Sequence, residues 1–331
     1  MGRLVSVVLI TWNSAPFLDR CLAGLRNQTH GEIEVIAVDN GSADDSAARV
    51  RAVFPAAVVI VNPENRGFSA AVNQAVAVAH GDFVFLCNPD AFLDPGYLER
   101  IVAALDVAGE SYGSATGKLM RAIGYAIEPT AVVDSKGIRM TRSGRHLDIG
   151  QGEPDRPQHR GQRPLAGGDL CEVFGVSGAA AVHRMAFLRD AAIGGEILDE
   201  DFFAYREDAD LAWRGRILGW RALYVPEAVA WHVRSVTPER RRALPSSVNM
   251  HSVKNRFLLR MKNESLRLAI RNALFEIPRD LMAITAALTI ERSSFPALTW
   301  LWRNRRRVLA KRREIQRRRR VSDRELAGWF E

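Results

Sequence analysis

The sequence predicts an α/β protein, an open and mostly parallel sheet flanked by helices, followed by a helical, basic extension. Three observations predict it. Short runs of β-branched and aromatic residues recur over residues 4–87, with amphipathic stretches between them. The runs end in polar clusters. Beyond about residue 240 that pattern stops and arginine-rich helical segments replace it.

Residues 4–10 are an almost unbroken β-branched run, the signature of a strand buried on both faces of a parallel sheet. Asn13-Ser14-Ala15-Pro16 then opens a helix, with Ser14 as candidate cap and Leu18, Leu22 and Leu25 along one side. A second strand over Ile33–Val38 runs into Asp39-Asn40-Gly41-Ser42 and completes a βαβ unit. The pattern repeats as a helix over 46–54, a strand over 58–61, a helix from Ser69 to Ala79, and a strand over 83–87 that meets Asn88-Pro89-Asp90. Open sheets of this kind bind ligands outside the carboxyl ends of their strands, which is where Asp39 and Asp90 fall. Residues 121–170 are irregular and rich in Gly, Arg, Asp and Pro, as expected of a long functional loop. A strand with a glycine bend follows over 172–182, then a helix over 206–219 and a strand over 222–225. Two regions result: an α/β ligand-binding domain over 1–240 and a helical arginine-rich region over 241–331.

Composition narrows the class. Of 331 residues 47% are apolar and 25% charged, and a mean hydropathy of -0.11 argues against several membrane spans. Cys21, Cys87 and Cys171 are far apart and odd in number, so neither a disulfide framework nor a zinc site is expected, and a reducing cytosol fits. The first apolar run stops at Thr11-Trp12-Asn13 and reads as a strand, not a signal peptide. The net charge of +8 is concentrated between Arg303 and Arg320, which hold ten arginines with Lys311. That tail lacks interleaved aromatic residues and the chain shows no recognition motif, so nucleic acid is not an expected partner.

Four clusters bear polar chemistry: 38–44, Asn65-Arg66-Gly67-Phe68, Asn88-Pro89-Asp90, and Tyr205-Arg206-Glu207-Asp208-Ala209-Asp210-Leu211. Each alone has a plain structural reading. Asp39-Asn40-Gly41-Ser42 and Asn65-Arg66-Gly67 read as turns, Asn88-Pro89-Asp90 as an Asx-Pro turn, and Glu207-Asp208-Ala209-Asp210 as the acidic first turn of a helix.

Together and in this order they resemble family 2 glycosyltransferases of the GT-A fold, particularly a rhamnosyltransferase-like branch, over residues 5 to 232 and more weakly to Asn255. Thr11-Trp12-Asn13, the Val38–Asp44 segment and the Phe202-Phe203-Ala204-Tyr205-Arg206-Glu207-Asp208-Ala209-Asp210-Leu211 segment carry the resemblance. It implies an inverting transfer of a sugar, rhamnose favoured, from a dTDP- or UDP-linked donor to a saccharide hydroxyl. Asp208 is then the general base, with Glu207 beside it orienting the acceptor. Asp39 would accept the imino N–H of a pyrimidine, with Thr11, Trp12 and Asn13 lining the base pocket and Asn65, Gly67 and Asn73 beside the nucleotide. Asn88 replaces the first aspartate of the family's Asp-x-Asp pair. Asp90 would bind Mg2+ or Mn2+, with His232 as second protein ligand or as a hydrogen-bonded structural histidine, and Asn88 near the sugar. Gly178 would lie against the sugar and acceptor, or serve close packing. Asp210 would cap its helix and pair with Arg214, and Lys254 or Arg256 would reach a diphosphate.

The tail carries its own expectation. The apolar stretch 281–290 is short for a span, so an interfacial helix is expected, with Trp300 and Trp302 at headgroup level and the arginines on anionic lipid. This would hold the protein on the cytoplasmic, inner face of the cell membrane, beside a polyprenyl-diphosphate-linked acceptor. A solvated basic helix packed on its own domain is the alternative.

Overall fold

The computed structural model describes residues 2–234 and 246–331; the boundary expected near 240 lies outside them. In chain order the elements are β1 (Val5–Thr11), α1 (Ala15–Arg26), β2 (Ile33–Asp39), α2 (Ser46–Val53), β3 (Val58–Val61), α3 (Phe68–Ala77), β4 (Phe83–Cys87), β5 (Ala91–Leu93) and α4 (Tyr97–Ala108). Next come β6 (Tyr112–Ile123), β7 (Glu128–Ser135), β8 (Ile138–Met140), β9 (His146–Asp148), β10 (Arg163–Pro164), β11 (Cys171–Val173), β12 (Ala180–Arg184), α5 (Met185–Ala191), α6 (Glu207–Ile217) and β13 (Arg221–His232). Four helices follow: α7 (Ser246–Asn263), α8 (Leu266–Thr289), α9 (Phe295–Arg317) and α10 (Asp323–Ala327).

The predicted open α/β sheet is present. Its strands run parallel through β3-β2-β1-β4, and β12, β6, β13, β11 and β10 extend it. Every β1 residue is buried, as its unbroken apolar run requires. Val5, Val7 and Leu9 pack against Leu18, Leu22 and Leu25 of α1 and Leu98, Ile101 and Leu105 of α4. Val8 and Ile10 face the other way, into a core with Ala71, Val72 and Ala75 of α3 and Leu211 of α6. Strand alternation therefore builds two apolar layers, one on each side of the sheet.

Two elements differ from expectation. Residues 121–170 are not one loop, because β7 pairs with β6 and β8 pairs with β9. The strand expected over 172–182 is broken into β11 and β12. A Cβ on Gly175 would lie 2.2 Å from that of Ala212, so the chain turns there to let α6 approach.

The C-terminal helices pack on the catalytic half through Trp213, Phe174, Leu258, Leu259, Leu301, Val308, Trp329 and Phe330. This corrects part of the tail expectation. Lys311 pairs with Asp199 at 2.6 Å, Arg307 pairs with Asp201, Arg312 donates to the Met261 carbonyl, and Arg318 and Arg320 bind Asp190. Trp300 is half-buried beneath the Lys254 and Arg307 cations. Those tail residues are held by the protein's own carboxylates and, for Arg312, by a backbone carbonyl of α7.

Candidate active site

The site forms where strand ends from both halves of the sheet converge. β5 runs antiparallel to the end of β13, with Ala91 opposite His232, and the Val233 N–H donates to the Asp90 carbonyl at 3.0 Å. That pairing brings two positions far apart in sequence together, and His232 Nε2 stands 3.3 Å from Asp90 Oδ1. The other imidazole nitrogen, Nδ1, donates to Asp134 at 2.8 Å. Asp134, fully buried on β7, also accepts from Arg234, which reaches on to Asp148 of β9 at 2.8 Å. Burial alone would lower the His232 pKa, but the Asp90 and Asp134 carboxylates raise it to about 10. Burial likewise opposes ionisation of Asp134, yet His232 and Arg234 hold it well below the usual carboxylate range.

Beside this line a cleft of about 540 Å3 opens, walled by Asn88, Asp90, His232, Gly178, Glu207 and Asp208, with His146 and Asp148 of the β8–β9 hairpin on another side. Asp208 sits in the first turn of α6. Its Oδ2 accepts from the Gly178 N–H at 3.2 Å and its Oδ1 from the Ala209 N–H at 2.7 Å. Burial in the cleft wall and the nearby Asp148 charge raise its pKa, and the two N–H groups oppose that rise. Glu207 is raised to about 8, by burial and by the Asp208 charge, and its Oε2 has no hydrogen-bond partner among the described residues. Two adjacent carboxyls with elevated affinity for protons thus line the cleft, an arrangement chemically suited to proton transfer.

The segment leading into α6 is bent to present them. Phe203, Tyr205 and Arg206 all have positive φ, at 65°, 72° and 73°, each costing on the order of 1 kcal/mol for a residue with a Cβ. α7 holds the bend. The Asn255 amide donates to the carbonyls of Phe202, Ala204 and Tyr205 at 2.8–3.0 Å, and Lys254 donates to that of Asp201 at 2.5 Å. His251 stacks on Phe203 with ring centroids 4.8 Å apart. Lys254 is therefore not at a diphosphate, contrary to expectation, because its ammonium is buried on Asp201; Arg256 is likewise paired, with Asp280 at 3.3 Å.

The residues expected at the nucleotide fall in three groups. Thr11 and Asp39 are register partners at the ends of β1 and β2, and Thr11 Oγ1 donates to Asp39 Oδ1 at 2.8 Å. Ser42 also donates to both Asp39 oxygens, and Oδ2 takes only the longer of these bonds, at 3.2 Å. Asn13 pins the same loop through the Ala43 N–H at 2.8 Å, while Trp12 is 57% exposed beside it. Asn65 and Gly67 build a turn in which the Asn65 amide oxygen accepts from the Gly67 N–H. Gly67 has φ 87°, and a Cβ there would meet Phe203 at 2.6 Å. The close approach it permits is thus to the bent segment, not to a nucleotide. Asn73 is a second correction. Its amide donates to the Leu198 carbonyl and Glu200, and its oxygen accepts from the Leu198 N–H, so it ties α3 to the 198–200 segment.

Sequence reasoning missed Asp134, His146, Asp148 and Arg234. The first three lie in the stretch expected to be a loop; the β-branched residues Thr130, Val132 and Val133 were the available sign of a strand.

The donor chemistry suits a hard or borderline divalent cation, with a carboxylate oxygen on Asp90 and, once its Nε2 proton is displaced, an imidazole nitrogen on His232 whose partner nitrogen is fixed by a buried carboxylate. Among the described residues no group of three or more His, Cys, Asp or Glu side chains is gathered around one point. Such an ion would draw its remaining ligands from a bound anion and water.

The family model described as glycosyl transferase family 2 matches residues 6–119. An N-acetylglucosaminyl-diphospho-decaprenol L-rhamnosyltransferase of Mycobacterium tuberculosis is 30% identical over 254 residues, covering 70% of this chain and 76% of that protein. The chain belongs to glycosyltransferase family 2. Among solved structures, this glycosyltransferase resembles the mannosyltransferase PcManGT of Pyrobaculum calidifontis in complex with GDP-Man and Mn2+. That match has a TM-score of 0.50 at 19% identity, over 95% of this chain and 85% of that one. It also resembles S. aureus TarS in complex with UDP-GlcNAc, with a TM-score of 0.53 at 16% identity, over 95% and 90%. At these identities the likeness shows the shared GT-A fold.

The Asn255 clamp makes a prediction for the glycosyltransferase. Asn255→Ala leaves three carbonyls without their shared donor, and kcat is expected to fall about tenfold, with a stability loss of about 1–3 kcal/mol. Steady-state kinetics well below the melting temperature check it. A kcat equal to that of wild type would show that the bent segment holds itself.

Proposed function

We propose that this glycosyltransferase inverts configuration as it moves a sugar, rhamnose favoured, from a dTDP- or UDP-linked donor to a hydroxyl of a polyprenyl-diphosphate-linked saccharide. The work would take place at the inner face of the membrane, in cell-wall or surface polysaccharide synthesis. The observation that carries the reading is Asp208, a carboxyl of raised proton affinity in a cleft wall that also holds Asp90 and His232.

Asp208 takes the proton of the acceptor hydroxyl as that oxygen bonds to the anomeric carbon, and the bond from that carbon to the diphosphate oxygen breaks. The nucleoside diphosphate leaves from the opposite face, so configuration inverts without a covalent sugar–enzyme intermediate. Glu207 orients the acceptor. Asp90 and His232 are the residues that would hold Mg2+ or Mn2+, which when bound acts as a Lewis acid on the diphosphate. Asn88 and Gly178 stand at the sugar side of the same cleft. The free position on Asp39 Oδ2 is where a pyrimidine imino N–H would bind, with Thr11 and Asn13 shaping the loop, Asn65 bracing it and Trp12 offering an exposed ring. The name of the mycobacterial relative supports both the rhamnosyl donor and the lipid-linked acceptor.

Asp90→Ala is expected to lower metal-stimulated transfer about 100-fold and to weaken Mn2+ binding, read by electron paramagnetic resonance. EDTA should reduce wild type to the level of the variant. Equal Mn2+ affinity in both proteins would remove Asp90 from this role.

A further inference from the structure

α8 presents an apolar face that nothing in the described chain covers. Leu266, Ile270, Leu274, Ile277, Leu281 and Leu288 are 49–87% exposed. At 100° per residue they fall within an arc of about 80°. The opposite side, with Leu268, Asn272, Glu276 and Ala287, is buried against the protein's own chain. An ordinary surface helix turns its apolar stripe inward. Here the buried side is partly polar and the outer side is apolar.

On α9, beyond the turn at 290–294, Phe295, Trp302 and Leu309 are also exposed, at seven-residue spacing. Arg306 and Arg313 lie along that same side by helical periodicity. Arg267, Arg271, Arg292, Arg303, Arg306 and Arg313 are exposed and form no ion pair among the described residues. They contrast with the arginines from 307 onward that bind Asp190 and Asp201. The basic tail thus divides into an inward set and an outward set, and the outward set borders the apolar face. No helix of the described chain is long and apolar enough to cross a membrane.

We infer that the exposed apolar face of α8, together with exposed Phe295 and Trp302 of α9, docks on an anionic lipid bilayer. This deepens the membrane-linked acceptor reading above and rests on it for the side of the membrane approached. Apolar side chains enter the acyl boundary, Trp302 sits at the headgroups, and the outward arginines meet acidic phosphates. A second copy of the chain fits less well, because a two-fold contact through this face would set its unpaired arginines against their own repeats.

Flotation of the full chain with phosphatidylcholine vesicles, with and without about one-third phosphatidylglycerol, tests the inference. Wild type should float with the anionic vesicles and not with the neutral ones. The triple variant Ile270→Glu, Leu274→Glu, Leu281→Glu should lose about 100-fold in partition, and Arg303→Glu with Arg306→Glu about tenfold. Val107→Glu, on exposed α4, should float as wild type does. All these variants should keep sugar transfer to a water-soluble acceptor, so loss of flotation and loss of transfer are separate results. Wild type that stays unbound, or a triple variant that floats undiminished, overturns the docking. A dimer in light scattering that the triple variant splits overturns it in favour of a second copy.

Discussion

Asp208→Asn is expected to lower kcat for sugar transfer by about three orders of magnitude while donor affinity changes by less than about twofold. The amide keeps the acceptor position for the Gly178 N–H, so the cleft wall stays in place, but it cannot take a proton. The same carboxyl sets the pH dependence. Burial and the Asp148 charge raise its pKa, and it works only when deprotonated, so activity should fall as pH drops through that raised value. The acid limb of the kcat/KM profile should therefore lie above the ordinary carboxylate range of about 4. Stability has the opposite sign. A carboxyl raised in the folded state holds its proton more tightly there, so its stabilising contribution is present at low pH and is lost as pH rises. Glu207→Gln should accordingly stabilise the protein more at about pH 8 than at about pH 4. Undiminished turnover by Asp208→Asn would exclude it as the base.

The largest loss of stability is expected from Asp210→Ala, at about 3–5 kcal/mol. Asp210 is fully buried. Its Oδ2 accepts from Arg214 at 2.9 Å and from Lys262 at 2.9 Å, and its Oδ1 accepts from Asn263 at 2.7 Å. Lys262 also pairs with Asp199, which Lys311 holds from α9. Removing this one carboxylate leaves two cations buried with one anion fewer and loosens α6 from α7. Urea unfolding measures the effect; a loss under about 1 kcal/mol would mean that the cations find other partners. Transfer should also fall, since Asp208 stands two residues before Asp210 on α6.

What could be read from sequence followed from how much each segment depends on its own pattern. β1, β2 and β4 are buried on both faces, so their apolar runs announce them, and the polar clusters after them are correctly placed at strand ends. The Asp210–Arg214 pair was legible from its four-residue spacing, but its partners Lys262 and Asn263 were not, because they come from a helix some fifty residues on. β7, β8 and β9 are short hairpin strands whose inward residues, Asp134 and Asp148, are charged, so they show no apolar alternation. Asn73 was placed beside the nucleotide by the family resemblance; only the fold reveals that Leu198 and Glu200 have already taken its hydrogen bonds. Composition counts the tail's arginines but not the carboxylates that meet some of them, so the division between inward Arg307, Arg318 and Arg320 and outward Arg303, Arg306 and Arg313 was not legible.

The central claim is single-displacement sugar transfer through Asp208, and product stereochemistry tests it most directly. Purified enzyme with dTDP-rhamnose or UDP-sugars, Mn2+ and lipid extract should yield a product heavier by one sugar, whose anomeric configuration by NMR is opposite to that of the donor. A product that keeps the donor's configuration would contradict the account.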